Sequence, residues 1–377
     1  MRRVVAVIFH APMGETEPER FVEAGRLAST EDLTHVLRSR VDEVVVVASG
    51  SHERLGSLDA DVVRPNPESP FDFGATLKQL VRERRPDVLL YFGSGSGGLL
   101  GSESLDTLLA FAERKEPGAL FNNFYSCDFA AFASASALLD VPFPANDNGL
   151  GFALSDAGIP CCALPRSVET EFDIDTPTDL LLLRASGRGG PALRQYLAET
   201  YLDHPMLAAI CDRLADRSSL AYLYGRINPT TWGTFEQQVA CRTSGTVEGR
   251  GMRAYGDARP LLLQSAFLDA SPADFFDRLS EVADAAVLDT RPLLAVNGRL
   301  PPASDRFASD LFLAKEIDDA RWRAFTVAAA DASIPVLLGG HSLVSGGLYL
   351  LAEACWKGRD LVRRLHPEPY TGRNRGT

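Results

Sequence analysis

The stretch FDIDTPTDLLLL, residues 172–183, decides how the chain is read. Phe172 brings the backbone out of a strand, and Asp173 and Asp175 follow, two positions apart. On an extended backbone, residues so spaced share a face, so both carboxylates can reach one divalent cation. Thr176 has the chemistry of a helix N-cap and Pro177 that of a first helical turn. Asp179 lies near the positive end of the helix dipole, and the leucines supply the helix's buried face.

Upstream, short runs rich in Val, Ile and Leu at 4–9, 43–48, 88–92, 118–121 and 161–164 alternate with segments of helical periodicity at 32–40, 74–84 and 104–114. Buried parallel strands alternating with covering helices produce that pattern, so the expected fold class is α/β with a doubly wound, mostly parallel sheet. Downstream, ASGRGGP at 185–191 is a break in composition of the kind that joins folded units. The expected organisation is a first domain over 1–185, a linker at 186–191, a second α/β domain over 192–367 and a disordered tail at 368–377. In the second half, helices are expected at 192–201, 206–216, 275–283 and 348–356, and strands at 285–289 and 334–338.

A chain of 377 residues with 45% hydrophobic content can bury two cores of ordinary size. Its formal charge of -12, from 50 acidic and 38 basic side chains, is spread without a basic block or tail. Non-specific affinity for nucleic acid needs clustered Lys and Arg, so a long polyanion is excluded as a partner, whereas a small anion held by a few local groups is not. The N-terminal apolar run, 4–9, is shorter than the ~7–15 residues of a signal core, and no run approaches the ~18–20 of a membrane span. A soluble cytoplasmic protein with no membrane partner is expected, with homo-oligomerisation left open. The six cysteines have no CxxC pair or zinc spacing and are read as reduced thiols, Cys161 and Cys162 as small hydrophobes in an apolar stretch.

The segment 172–183, with LSDAGIPCCALPRSVETE before it, resembles the end of the catalytic domain in molybdenum-cofactor guanylyltransferases and phospholactate guanylyltransferases. Those families belong to the nucleotidyltransferase superfamily with the nucleotide-diphospho-sugar transferase, or GT-A-like, fold. The shared pattern is an aG turn, a strand, a short connection, then an acidic or Asn residue before a TPxDL helix start. The resemblance covers the N-terminal half, with its specific part in this last segment. It implies a mononucleotide-binding sheet that positions a nucleoside triphosphate and Mg²⁺ while the phosphate of a small acceptor attacks the α-phosphorus and pyrophosphate leaves. The protein would orient the attacker and neutralise charge, with carboxylates on the metal and amides or basic side chains on the phosphates.

The sequence departs from that pattern in two places. After the first strand the family carries a Gly-rich loop with Arg and Lys, but here the strand runs into HAPMGETEPERF, where only Gly14 and Arg20 can stand in, with His10 as a polar group at the strand end. After the strand at 88–92 the family places a metal-binding Asp; here GSGSGGLLGSESL puts Ser94 or Ser96 at that point. The loop Gly93, Ser94, Gly95, Ser96, Gly97 and Gly98 still offers open backbone N–H groups to a nucleotide phosphate, or is simply a tight turn. Asp128 or Asp147 can replace the lost carboxylate, and Asp128 joins Asp173 and Asp175 as the candidate catalytic and metal-binding set. Asn122, Asn123, Tyr125, Ser126, Asn146, Asp147 and Asn148 collect polar groups where the family contacts its acceptor; a substrate pocket or Asn-rich turn chemistry would satisfy them.

The second half resembles nothing so specifically. IPVLLGGHSLVSGGLYLLAEACW is a strand, a glycine-paired loop around His341 and Ser342, then a helix, an arrangement that places N–H groups of Gly340 and its neighbours at a helix start where an anion can bind. It is neither a Walker loop nor GxGxxG, and adjacent His341 and Ser342 lack a nucleophile elbow. Arg242, Arg250 and Arg253 can clamp a phosphate or pair with surface acids. Asp289, Thr290 and Arg291 end another apolar strand, and Asp305, Arg306 and Asp310 follow. The leading expectation is a Mg²⁺-dependent nucleotidyltransferase-like enzyme acting on a nucleoside triphosphate and a small phosphorylated substrate. The alternatives are a catalytically inactive protein of that fold serving as a binding or scaffold module, or an enzyme whose active site lies in the C-terminal domain.

Overall fold

Strand β1 (Val4–His10) buries Val5, Ala6, Val7 and Ile8 in succession, which a strand does only when both faces of its sheet are covered. The computed structural model describes residues 2–50, 52–66, 68, 70–249, 263, 270–295 and 300–359. β1 lies in a seven-stranded sheet with β2 (Glu43–Ala48), β3 (Asp61–Val63), β4 (Val88–Gly93), β5 (Gly118–Phe121), β6 (Phe129–Ala133) and β7 (Cys161–Ala163). Their spatial order is β3-β2-β1-β4-β6-β5-β7, and all pairings are parallel except those of β6, which runs against both β4 and β5. The expected doubly wound, mostly parallel sheet is therefore present. β3 and β6 escaped the sequence reading: β3 is three residues long at the sheet edge, and FAAFA carries no β-branched residue.

The helix expected at 32–40 begins much earlier, as Glu17–Arg38. Its start is a reciprocal cap in which Thr16 accepts from the Glu19 backbone N–H while the Glu19 carboxylate accepts from Thr16, with Pro18 in the first turn.

A second sheet of four parallel strands contains β8 (Leu220–Gly225), β9 (Arg242–Val247), β10 (Ala285–Asp289) and β11 (Val336–Gly339), in the order β11-β10-β8-β9. β10 and β11 were legible as apolar runs. β9, RTSGTV, is an exposed edge strand whose polar sequence reads as a loop, so the stretch that held Arg242 as a phosphate clamp begins with a strand. Arg250 and Arg253, and the tail at 368–377, lie outside the described residues.

Within the segment 185–191, residues 187–190 turn between the helices Pro177–Ser186 and Pro191–Glu199, with Gly187 at φ 79 and Gly189 at φ 105. The leucine helix before it is core to both sheets. Leu180, Leu181, Leu182 and Leu183 are at most 1% exposed, and their apolar cluster includes Phe21 and Val22 from the first half together with Leu223, Val287, Leu337 and Leu348 from the second. Burying each leucine contributes about 1.5–3 kcal/mol. The last described helix, Gly346–Trp356, packs on this helix and approaches the extended chain before it so closely that a Cβ on Gly346 would stand 2.3 Å from the Phe172 α-carbon. Cys162 is exposed and Cys161 partly so, because β7 is an edge strand; the buried reading of this pair is corrected to a surface one.

Gly346→Ala is expected to lower the unfolding free energy by on the order of 1–3 kcal/mol through overpacking against Phe172. Gly233→Ala, in the helix Pro229–Gln238 with nothing within 4 Å of the added methyl, is expected to raise it by about 0.5–1 kcal/mol. Urea titrations of both variants check the pair, and equal effects would contradict the close approach.

Candidate functional site

The carboxyl ends of β1, β4, β8 and β11 open onto one cleft of about 940 Å³. The segment after Phe172 crosses it. Ile174 N–H donates to the Gly95 carbonyl at 3.0 Å, Ser96 and Asp173 form an isolated antiparallel bridge, and Asp173 N–H donates to Ser342 Oγ at 3.1 Å. The two glycine-rich turns, read in the sequence as separate anion loops, thus grip one extended strand from either side. Glycine suits position 95 here, because a Cβ would stand 2.8 Å from the Ile174 carbonyl oxygen of the crossing strand.

Asp173 and Asp175 share the cleft, as two-residue spacing requires. Burial, then the negative charges of Asp175 and Asp128, push the Asp173 carboxyl well above the usual range, against the opposing pull of Arg26. Its Oδ1 is buried without a hydrogen-bond partner. Arg26 donates through Nε to the Ile174 carbonyl at 2.6 Å and through Nη2 to Asp175 Oδ1 at 3.2 Å, tying the long first helix to the crossing strand. Asp179 completes the helix start: its Oδ2 accepts from the N–H groups of Asp175 and Thr176 and from the Thr176 hydroxyl. Burial and the Asp175 charge raise its pKa to about 8 despite these bonds.

Several expected phosphate contacts are already occupied. Gly93 N–H donates to Asp128 O, Ser94 N–H to Phe9 O and Ser96 N–H to Gly93 O, while Gly97, at φ 74, packs on the Phe92 ring. Ser96 Oγ is spent on the carbonyls of Gly93 and Asp128, and Gly98 lies against Ser29. Of this loop, Gly93, Ser94 and Gly95 line the cleft. His10 Nδ1 meets Ser94 Oγ at 3.1 Å; burial, then Arg26 and His52, lower its pKa to about 4, so it is neutral at pH 7. Gly14 lies against the Glu19 carboxylate, and exposed Arg20 lines a separate depression with Tyr196 and Tyr201. On the first helix it is Arg26, not Arg20, that reaches the cleft.

The asparagines mostly serve turns. Asn122 Nδ2 donates to Asp128 Oδ2 and Thr170 O, and its Oδ1 accepts from the N–H groups of Asp128 and Phe129; Asn123 Oδ1 accepts from Tyr125 N–H, and Tyr125 is exposed. Ser126, Asp128, Asn146 and Asp147 line the cleft, with Asp147 Oδ2 accepting from the Tyr91 hydroxyl at 2.8 Å; the Asn148 side chain lies outside the described residues. Tyr91 joins Phe9, Phe71 and Phe73 in an aromatic wall with ring centroids 5.1–5.9 Å apart, and Phe71 is 49% exposed.

From the second half, Arg226, Arg291, Arg306, Gly340, His341 and Ser342 line the opposite wall. Arg242 is exposed at the start of β9, away from it. Arg26 and Arg226 were not singled out from sequence. A signal for Arg26 existed, since Glu19, Glu23 and Arg26 share one helical face. Among the described residues, no three His, Cys, Asp or Glu side chains are grouped to hold a metal ion, so Asp128, Asp173 and Asp175 do not form a closed ligand set.

No protein-family model and no curated protein matches the sequence. Solved structures of nucleotide-diphospho-sugar transferases and cytidylyltransferases match about half of the chain. A cytidylyltransferase from Leptospira borgpetersenii matches at 13% identity and TM-score 0.38, covering 54% of this chain and 100% of its own. A 4-diphosphocytidyl-2C-methyl-D-erythritol synthase from Anaerococcus prevotii matches at 14% and 0.34, covering 47% and 94%. Glucosyl-3-phosphoglycerate synthase from Mycobacterium tuberculosis, solved with Mn²⁺, uridine diphosphate and phosphoglyceric acid, matches at 18% and 0.32, covering 43% and 68%. No described helix is long and apolar enough to cross a membrane.

His10 and buried His204, both lowered to about 4 by burial first, each weaken the fold in acid, a contribution opposed by the raised carboxyls of Asp173 and Asp179. Between pH 6.5 and 4 the unfolded chain binds more protons at these two histidines than the native one does. Stability present above pH 6.5 is therefore lost as pH falls toward 4, by up to about 3 kcal/mol per histidine. Imidazole NMR titrations of the native protein check this, and midpoints near 6.5 would contradict it.

Proposed function

We propose that the chain is a nucleotidyltransferase that joins the nucleotidyl group of a nucleoside triphosphate to a small phosphorylated acceptor and releases pyrophosphate. The observation that carries this reading is the pair Asp173 and Asp175 on a strand that crosses the shared cleft, with Asp173 Oδ1 buried and without a partner. The half-exposed Phe71 and the aromatic wall behind it offer a face on which a base can stack.

The donor set fits a divalent cation in the sparse manner of Mg²⁺, which is bound by one or two carboxylates together with substrate phosphates. A buried carboxyl raised by two neighbouring carboxylates is relieved by a cation beside it. When bound, Mg²⁺ supplies charge neutralisation on the triphosphate. Asp173 and Asp175 would hold it, with Asp128 contributing charge from behind. Arg26 holds Asp175 in position, and the neutral His10 with Ser94 closes the floor at the ends of β1 and β4. An acceptor phosphate oxygen attacks the α-phosphorus; the new P–O bond forms as the bond between the α-phosphorus and the α,β-bridging oxygen breaks, and pyrophosphate leaves carrying that oxygen and the electron pair.

A second reading, binding without turnover, is favoured by two observations. Asp175 is already paired with Arg26, and the N–H groups of Gly93, Ser94 and Ser96 are spent within the fold. The two readings separate in one assay of pyrophosphate release across the four nucleoside triphosphates and a panel of phosphorylated acceptors, with Mg²⁺ or Mn²⁺. The expected result is turnover that falls on the order of 10²–10³-fold in Asp173→Asn and Asp175→Asn, with the protein still folded. Nucleotide binding that survives both substitutions, with no pyrophosphate from any combination, selects the second reading.

A further inference from the structure

The second sheet is wound from β8 outward to β9, then back past β8 to β10 and on to β11. Its winding therefore reverses between β8 and β10. In parallel α/β sheets, ligands sit outside the carboxyl ends of the strands at such a reversal, where the connections leave for opposite faces and open a crevice. The residues at this reversal are Arg226, directly after β8, and Asp289, which ends β10.

Asp289 is fully buried and takes two side-chain bonds from Arg226, Nε to Oδ2 at 2.7 Å and Nη2 to Oδ1 at 3.0 Å, besides one from its backbone N–H. Nη1 takes no part in this fork. Arg291, next along, is held end-on by buried Asp310 at 2.8 and 2.6 Å and by the Thr290 hydroxyl at 2.8 Å. Arg306, from the helix Ala303–Asp310, lines the same wall. The buried carboxylates cancel much of the local charge, so their effect is to fix the planes of Arg226 and Arg291. Guanidinium groups brought by three separate elements suit a tetrahedral dianion better than a planar carboxylate, which one fork satisfies.

We propose that this crevice binds the phosphate group of the acceptor, so that the first sheet holds the nucleotide and the second sheet the molecule that receives it. The acceptor role rests on the nucleotidyl-transfer reading; the phosphate site itself does not. The test uses the full-length chain with inorganic phosphate as probe, titrated calorimetrically at low salt, and malonate as the carboxylate comparison. Phosphate affinity is expected to fall at least tenfold in Arg226→Lys, which keeps a cation against Asp289, and in Arg306→Gln, which leaves that pair intact. Arg242→Gln, far from the cleft, is expected to leave it unchanged, and malonate to bind more weakly than phosphate. Melting curves identify any variant that fails to fold, in which case the other decides. Unchanged phosphate affinity in a folded variant, or preference for malonate, overturns the inference. Phosphate binding that depends on these arginines in a protein showing no turnover leaves the site standing and removes the transfer reading. Turnover whose acceptor KM is unmoved in Arg226→Lys removes the site and leaves the transfer reading.

Discussion

The structure depends on a close approach of three backbones at residues 172–174. Gly95 on one side and Gly346 on the other each leave room for the crossing strand that no side chain would leave, since a Cβ would stand 2.8 Å from the Ile174 carbonyl oxygen at position 95 and 2.3 Å from the Phe172 α-carbon at position 346. Because glycine permits the approach, the Ile174 N–H reaches the Gly95 carbonyl and the Asp173 N–H reaches Ser342 Oγ. The strand is thereby satisfied by both halves of the chain. Residues from both halves pack in one apolar cluster with the leucine helix that follows the crossing strand.

This constraint orients both sheets toward one space. The first sheet also reverses its winding, between β1 and β4, where His10 meets Ser94. The second reverses between β8 and β10. Two such reversals on either side of a crossing strand make a composite cleft, one wall rich in carboxylates and the other in guanidinium groups. Glu171 fastens the arrangement from within: buried, it accepts from Arg166 and also from Asn228 and Ser345 of the second half. Removing any one of those donors would take a charge-assisted bond from a buried carboxylate, a cost of about 1.5–3 kcal/mol.

Local chemistry was legible in the sequence. FDIDTPTDL encodes its own strand end and helix cap through neighbours within four residues, and the apolar runs at β2, β5 and β10 matched their strands to the residue. What could not be read was contact at long sequence separation. The glycine loops at 93–98 and 339–347 both looked like open anion nests, yet much of their polarity is spent within the fold, on their own turns and on the strand between them. Asn122 and Asn123, read as either pocket or turn residues, bond within the fold, Asn122 to Asp128, Phe129 and Thr170 and Asn123 to Tyr125. Arg226 carries no local signal, since its meaning comes from Asp289, which is 63 positions away.

That same distinction bears on the alternatives the sequence left open. An active site wholly within the C-terminal half would need chemistry that does not draw on Asp173 or Asp175, but the second sheet's strand ends face those residues across the cleft. The buried pairs Arg226–Asp289 and Arg291–Asp310 cost desolvation, and replacing buried ion pairs with apolar residues is often neutral or stabilising. Guanidinium planes fixed at a strand reversal opposite a pair of carboxylates support the transfer reading proposed above. Holding charge in place before a ligand arrives is what the transfer of a charged group requires, because the reorganisation then occurs during folding and not during the reaction.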